Sequence, residues 1–163
     1  MAITIQPIEA SDQEWVRGFL WQQAGNTRMV SRGRLHQCDE LPGFIGSLDG
    51  QRAGLVTVRL DGRNCEIVTL HTAVHGQGLG SALLVAAADY ARQHGCQRAW
   101  LITTNDNEPA IRFYTNRGWR LTAVHKNALA QSRLLKPEIP LLGLDGVPIE
   151  DELEFELRLE EGD

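Results

Sequence analysis

A glycine-rich stretch at residues 73–81, Ala-Val-His-Gly-Gln-Gly-Leu-Gly-Ser, constrains the fold of this chain more than any other feature. Residues 66–70 before it are mostly β-branched or apolar, which predicts a strand. After it, apolar side chains recur with the three-and-four spacing of an amphipathic helix, which Gly95 would end. The glycines therefore lie in a turn between a strand and a helix. The free backbone N–H groups and the positive dipole of a helix start make such a turn a binding site for an anion.

Three known phosphate-binding loops can be compared with this turn. A dinucleotide-binding fingerprint requires its third glycine three residues after the second, where this chain has Ser81. A P-loop ends in Gly-Lys-Ser or Gly-Lys-Thr, and no lysine follows any of these glycines. The stretch His75-Gly-Gln-Gly-Leu-Gly80 resembles the Arg/Gln-x-x-Gly-x-Gly/Ala loop of the GNAT family of acyl-CoA-dependent N-acetyltransferases in every position but the first. Taken alone, the glycines would equally fit a tight turn that binds nothing.

A second segment carries the same resemblance. Residues 107–119, Asn-Glu-Pro-Ala-Ile-Arg-Phe-Tyr-Thr-Asn-Arg-Gly-Trp, are similar to the Asn-x-x-Ala, Phe-Tyr and Gly-Phe/Trp elements that follow the glycine loop in that family. Two independent motifs in the right order are far more specific than either one alone. The chain is therefore identified as a member of the GNAT family.

The first half of the chain predicts a strand, a helix and then a meander. A short strand begins at Ile3, and the capping box Ser11-Asp-Gln-Glu14 opens a helix that ends near Gly25. Residues 26–42 show no clear element, with a short helix over 34–40 as one option. Three apolar runs separated by Asp-Gly turns predict an antiparallel meander, at residues 44–48, 54–60 and 65–70.

Strands and helices alternate after the glycine loop. We expect a strand over 98–104, a helix with Pro109 in its first turn and Gly118 at its end, and a strand over 119–125. Residues 126–150 form a long connection, and a half-buried strand with alternating apolar side chains follows at 153–159. This order predicts an α/β fold with a mixed, mostly antiparallel central sheet and helices on both faces. The same element order resembles the GNAT fold over nearly the whole chain, which we expect to form a single domain over 1–163.

Composition narrows the classes of partner. The net charge of −5 argues against nucleic acid or an anionic membrane as the main partner and would suit a cationic amine, although solubility alone also explains its sign. Three widely spaced cysteines, Cys38, Cys65 and Cys96, show no zinc-binding spacing, so no metal is expected. The first residues lack the basic and apolar segments of a signal peptide, and a cytoplasmic location is expected.

The resemblance implies where acetyl-CoA, the expected co-substrate, would bind. Its pyrophosphate would lie on the glycine loop, whose residues are His75, Gly76, Gln77, Gly78, Leu79, Gly80 and Ser81. A backbone N–H near Leu70, His71 or Thr72 would face the acetyl carbonyl. Tyr114 is similar to the tyrosine that protonates the leaving thiolate, although core packing beside Phe113 would also explain it. Asn107 would contact the pantetheine arm, and helix capping alone would equally explain an asparagine there.

The general base is left open between two residues. Glu66 matches the strand carboxylate that acts through water in some members of the family, and His71 carries an imidazole that titrates near neutral pH. A solvent-exposed glutamate and a packed histidine are the structural alternatives. His75 stands where the family has Arg or Gln, so the loop lacks a fixed cation for the phosphate.

The predicted function is N-acetyltransferase activity on a primary amine of a small molecule or an amino acid, by direct attack on acetyl-CoA. The alternatives are a catalytically inactive acyl-CoA-binding or regulatory module, and a protein or peptide N-acetyltransferase. The apolar stretch Ile139-Pro-Leu-Leu142 in the long connection suggests a contact surface for a homodimer. No recognisable substrate code identifies the acceptor.

Overall fold

A seven-stranded, mostly antiparallel sheet organises the computed structural model, which describes residues 2–159. Its strands and the strands of a separate two-stranded hairpin are β1 (Ile3–Pro7), β2 (Arg28–Ser31), β3 (Arg34–Gln37), β4 (Gly43–Leu48), β5 (Gln51–Asp61), β6 (Asn64–Thr72), β7 (Arg98–Thr104), β8 (Arg120–His125) and β9 (Glu152–Arg158). The helices are α1 (Gln13–Ala24), α2 (Leu79–Gln93), α3 (Glu108–Asn116) and α4 (Ala128–Leu135). The large sheet has the order β1-β4-β5-β6-β7-β9-β8, and β2 pairs with β3 alone. In the part of the chain from residue 2 to 159, no helix is long and apolar enough to cross a bilayer.

The predicted meander is confirmed. β4, β5 and β6 pair antiparallel in sequence order. At the first turn, Asp49 and Gly50 have φ angles of 48° and 84°, the left-handed conformation that a tight hairpin turn requires. The Asp-Gly dipeptide therefore identified this turn correctly.

Helices cover both faces of the sheet, which confirms the predicted fold class. Val56 and Val58 of β5 pack with α2 in one core, and Leu55, the neighbour of Val56, packs with α1 in the other. Successive strand residues point to opposite faces, so one buried strand supplies both cores. The face that carries α2 also receives α3, through Phe113 and Tyr114.

β6 and β7 pair in parallel only at their first residues. The paired residues are 64–66 of β6 and 98–100 of β7, although β6 continues to Thr72 and β7 to Thr104. Beyond this short ladder the two strands separate. β7 instead pairs along its whole length with β9, which lies between β7 and β8.

The start of α1 differs from the prediction. The helix begins at Gln13, and the carboxylate that satisfies the preceding turn belongs to Asp12 rather than to the exposed Ser11. Asp12 Oδ2 accepts from the backbone N–H of Glu9 at 2.9 Å, and its Oδ1 accepts from Arg52 of β5 at 2.6 Å. A carboxylate that also forms an ion pair with the sheet competes successfully with a hydroxyl one residue away. The predicted end at Gly25 is confirmed, with φ 71° there.

Two predicted loops contain regular structure. Residues 26–42 form the β2–β3 hairpin, and the helix considered over 34–40 is reduced to a 3₁₀ turn at Cys38–Glu40. The hairpin escaped detection because its two buried side chains, Ser31 and His36, are polar and break the apolar alternation. Within 126–150, α4 occupies Ala128–Leu135, and Leu134 is 83% exposed, so its amphipathic pattern is weak.

Candidate active site

The separation of β6 from β7 opens a cleft of about 290 Å³. Residues 67–71 form one wall and residues 101–104 the other, and Asn107 and Tyr114 reach it from the α3 side. The far end is closed by Met29 and Val30 of the hairpin, Leu129 of α4 and Glu152 of β9. A strand edge without a partner leaves backbone N–H and C=O groups available to a ligand.

The direction of these backbone groups follows from the pairing of β6. The N–H of Ala73 donates to the carbonyl of Ala53, on the β5 side, at 2.7 Å. Backbone groups of successive residues in an antiparallel strand point to opposite edges. The N–H groups of Leu70 and Thr72 therefore point toward the cleft, and that of His71 points toward β5.

The glycine loop lies at the open end of the cleft. Gly76 and Gly78 have φ angles of 73° and 84°, and a Cβ built on Gly76 would have no protein atom within 4 Å. The first backbone hydrogen bond of α2 runs from the N–H of Ala82 to the carbonyl of Gly78, so the amides of residues 79–81 precede the helical ladder. Bare main chain at the start of a 15-residue helix is a site for an anion.

Gly80 has a different reason to be glycine. A Cβ there would meet the Phe113 ring at 3.3 Å and Thr72 Cγ2 at 3.9 Å. The missing side chain lets α3 approach the first turn of α2. Gly80 thus sets the distance between the two helices, while Gly76 and Gly78 provide the turn.

A second cavity, the loop cavity, connects the glycine loop to the cleft. It measures about 320 Å³ and is lined by residues that include His75, Gly80, Thr72 and Phe113. The loop cavity and the cleft share Leu70, His71, Ala110 and Tyr114. A molecule bound at the loop can therefore extend into the cleft past Tyr114.

The α3 motif positions two side chains at this passage. Asn107 caps α3 by accepting from the N–H of Ala110 at 3.3 Å, as its residue type predicts. Tyr114 packs edge-on against Phe113 and near Phe155 and Trp119. Burial raises the pKa of Tyr114 to about 12, so its hydroxyl keeps its proton at neutral pH. Tyr114 therefore packs against other aromatic side chains and also lines the cleft and the loop cavity.

A third cavity, the hairpin cavity, lies on the opposite side of β6. It measures about 200 Å³ and is lined by Leu20 and Ala24 of α1, Asn26, Arg28, Met29, Cys38, Thr69, His71 and Lys136. It shares Met29, Thr69 and His71 with the cleft. Burial of Cys38 raises its thiol pKa to about 12, so the thiolate is scarce at neutral pH.

His71 is the side chain common to all three cavities. Burial lowers the pKa of its imidazole, which favours the neutral form near pH 7. A neutral imidazole can accept a proton, and His71 stands where the three cavities meet.

Glu66 occupies a different environment. Its residue is 2% exposed, its Oε2 accepts from Ser31 Oγ at 2.5 Å, and Arg59 lies 3.5 Å from Oε1. Ser31 Oγ also lies 2.8 Å from His36 Nε2. Burial raises the pKa of Glu66 against the lowering effect of Ser31 and Arg59. Glu66 therefore fastens the β2–β3 hairpin to β6 from a buried position, and it is not the solvent-exposed glutamate considered as an alternative.

Residues 7–119 match the model of the acetyltransferase (GNAT) family. The chain belongs to this family. It is 41% identical over 138 residues to the uncharacterized protein YdhI of Bacillus subtilis (strain 168), which covers 84% of this chain and 86% of the relative. A streptothricin acetyltransferase of Streptomyces lavendulae is 37% identical over 78 residues, or 44% of this chain and 40% of that one.

Solved GNAT structures share the fold. The Bacillus subtilis acetyltransferase in complex with CoA aligns with a TM-score of 0.75 at 17% identity, over 98% of this chain and 100% of that one. Acetyl-CoA is the co-substrate of the GNAT family, and the membership of this chain makes acetyl-CoA its acyl donor. Three features of the site fit acetyl-CoA: the glycine turn without side chains, the free first amides of α2 and the passage into the cleft.

Several site residues of this GNAT protein could not be found from the sequence. Glu152 lines the cleft and is 1% exposed, and it accepts from the backbone N–H and side chain of Arg32. Acidic and apolar residues alternate from Glu152 onward, which indicated that the acidic side chains face solvent. In the structure β9 lies between β7 and β8, and its acidic face is covered. Ser31, His36 and Lys136 carry no local motif, and only the folded hairpin and α4 bring them to the site.

Proposed function

We propose that this protein transfers the acetyl group of acetyl-CoA to a primary amine of a small molecule or an amino acid by direct attack. The observation that carries the proposal is the position of His71, where the passage from the glycine loop meets the hairpin cavity. A donor entering from one side and an amine from the other would meet beside this imidazole. Bound acetyl-CoA would supply a thioester whose carbonyl an amine can attack.

The donor-side residues of the proposal are those of the loop and the passage. The amides of residues 76–81 would bind the pyrophosphate, with His75 beside them, and Asn107 would contact the pantetheine arm. The backbone N–H of Leu70 or Thr72, which points into the cleft, would donate to the developing oxyanion.

We assign the general base to His71 in preference to Glu66. The amine must be neutral to attack, and a neutral imidazole at the cavity junction can accept its proton. The pKa of His71 lies below its usual value of 6.5. We therefore expect kcat/KM to rise with pH, with the midpoint of the rise below 6.5, and to level off near neutrality. Glu66 is enclosed by Ser31 and Arg59, which supports a positioning role.

Tyr114 would protonate the leaving thiolate. Burial raises the pKa of Tyr114 to about 12, so its hydroxyl stays protonated and can donate to the thiolate, whose basicity desolvation in the same buried passage would also raise. The raised pKa of Cys38, about 12, disfavours an acyl-enzyme on that thiol and so supports direct attack.

A thiol-release screen tests the proposal. The protein is incubated with acetyl-CoA and libraries of small amines, amino acids and peptides, and free CoA thiol is measured. Turnover with small amines supports the proposal, and a preference for peptides would favour a peptide acetyltransferase. CoA binding without turnover of any amine would instead favour an inactive acyl-CoA-binding module.

Tyr114→Phe and His71→Gln sharpen the screen. Each should lower kcat by at least about tenfold with a smaller change in KM. Tyr90→Phe on α2 and His94→Gln at the C-cap of α2 make the same exchanges outside the three cavities and serve as controls. An unchanged kcat in Tyr114→Phe would return that tyrosine to a packing role.

A further inference from the structure

The wall of the hairpin cavity has an unbalanced charge. It is formed by apolar side chains together with Arg28, Lys136, Asn26, Thr69 and His71, and it contains no carboxylate among residues 2–159. This local balance is opposite in sign to the net charge of −5 of the whole chain. The overall charge, which would suit a cationic acceptor, therefore does not describe the pocket beside His71.

One of the two cations already has a partner. Arg28 Nη2 donates to Glu138 Oε2 at 3.0 Å, and Asn26 Nδ2 donates to the same oxygen at 3.1 Å. The Asn26 carbonyl oxygen also accepts from the backbone N–H of Arg28. The positive charge of Arg28 and the hydrogen-bonding groups of Asn26 are thus largely satisfied within the protein.

Lys136 lacks such a partner. Its ammonium donates to the backbone carbonyl of Arg28 at 3.0 Å, and no carboxylate of residues 2–159 lies within ion-pair distance. Burial lowers the pKa of Lys136, and the Glu138 carboxylate, which lies beyond ion-pair distance, offsets only part of this effect. A half-buried ammonium with one carbonyl acceptor retains two N–H groups for a ligand.

We infer that the acceptor carries a carboxylate, which binds Lys136 in the hairpin cavity while its amine lies beside His71. The inference rests on the proposed acetyl transfer and names the substrate class of that site. The positive charge of Lys136 matches a single carboxylate. Lys136 and His71 line the same cavity, and His71 lies where this cavity meets the cleft.

The size and chemistry of the cavity fit a small amino acid. A volume of about 200 Å³ equals that of roughly seven water molecules, which excludes a large acceptor from lying wholly inside. The apolar floor of Leu20, Ala24 and Met29 would contact the aliphatic part of the acceptor.

Matched acceptor triplets test this inference. Each triplet contains an L-amino acid, its carboxamide and the amine that lacks the carboxyl group, and kcat and KM are measured with acetyl-CoA for each. We expect the carboxylate-bearing member to be preferred by about 10- to 100-fold in kcat/KM, the range for a hydrogen bond to a charged group. Lys136→Met should remove this preference mainly through KM, lowering kcat/KM for the amino acid far more than for the carboxamide and the simple amine.

Lys126→Met is the matched control, because Lys126 is exposed and lies outside the cavity. Lys136→Arg should restore most of the preference, and circular dichroism of each variant checks its fold. Equal use of all three members, or an equal loss for all three in Lys136→Met, would overturn the inference while leaving acetyl transfer standing. Absence of thiol release with every amine would overturn the proposed function and this inference together.

Discussion

The glycine loop and the β2–β3 hairpin each border a cavity that His71 also lines, but they are built differently. The loop presents main-chain amides, and its essential features are two positive φ angles and the start of α2. The hairpin is a separate two-stranded sheet fastened to β6 by the side chains of Ser31, His36 and Glu66. A site made of backbone tolerates changes of neighbouring side chains, whereas a site held by a buried polar network depends on each member.

We therefore expect the glycine loop and the hairpin to have different roles. A fixed main-chain turn suits a donor that is the same throughout the family, and a side-chain-anchored wall can change with the acceptor. Loop variants should lose CoA binding while losing no more stability than the same substitution causes in another turn with positive φ. Hairpin variants should lose stability and acceptor affinity while keeping CoA binding.

The largest expected effect is that of Gly78→Val. A β-branched side chain at φ 84° would distort the turn and place methyl groups over the first amides of α2, so CoA affinity should fall by at least about 100-fold. Isothermal titration with CoA measures the loss. Gly62→Val is the matched control, because Gly62 also has positive φ and open space but lies in the β5–β6 turn. Undiminished affinity in a folded Gly78→Val protein would remove the basis for the loop as the phosphate site.

Acidification should destabilise the hairpin side through His36. Burial, with help from Arg59 and Arg34, outweighs the Glu66 carboxylate 3.7 Å away and lowers the pKa of His36 to about 4, whereas the unfolded chain has the ordinary 6.5. Between these pH values the unfolded state binds a proton that the folded state excludes, so stability falls as the pH drops. The difference amounts to at most about 3 kcal/mol.

Urea unfolding at pH 7, 6, 5 and 4.5 measures this dependence, with His36→Gln as the reference. The variant keeps a hydrogen-bond donor for Ser31 and leaves Glu66 unchanged. The raised pKa of Glu66 increases stability on acidification, and it does so in both proteins. The wild type should lose stability relative to His36→Gln on acidification. Parallel curves for the two proteins would contradict the assigned role of His36.

Ser31→Ala should cost about 1–3 kcal/mol of stability, because it leaves buried polar groups of Glu66 and His36 without their shared partner. Acceptor KM should rise while CoA affinity stays the same. Ser11→Ala is the control and should change stability by less than about 0.5 kcal/mol, since Ser11 is exposed and Asp12 serves the helix start. A loss of about 1 kcal/mol in Ser11→Ala would instead reinstate the predicted capping box.

The smallest expected effect is that of Asn107→Ala. Loss of the cap should lower the free energy of unfolding by about 1 kcal/mol. If Asn107 also contacts the pantetheine arm, CoA affinity should fall by several-fold more than in Asn107→Asp, which keeps a capping oxygen. Equal CoA affinity in both variants would leave Asn107 with the capping role alone.

The elements around the glycine loop were predicted well because their signals are local. Glycines 76 and 78, the Asp49-Gly50 turn and the Asn107 cap each act within a few residues of themselves, and the structure bears out the elements that they delimit. Gly80 shows the limit of such reasoning. Gly80 was counted among the residues of the phosphate loop, and no local pattern showed that its Cβ position is bounded by Phe113, 33 positions away in the chain.

The hairpin side was poorly predicted because its interactions join residues far apart in the chain. Ser31 and His36 break apolar alternation because they are buried against Glu66, and no window of the sequence contains all three. Glu66 itself could be placed on the correct strand, but its enclosure depends on the hairpin that was not foreseen. α4 was missed because it buries little more than Leu129 and Ser132.

The position of β9 has a consequence for how the protein is made. β8 is joined to the rest of the sheet by β9, which emerges from the ribosome about thirty residues later and must insert between β8 and β7. Until it does, Phe155 cannot complete the core, and the exposed edges of β7 and β8 are open to wrong pairing. Nascent chains stalled before residue 152 should therefore be markedly more sensitive to protease and more dependent on chaperones than chains released at full length.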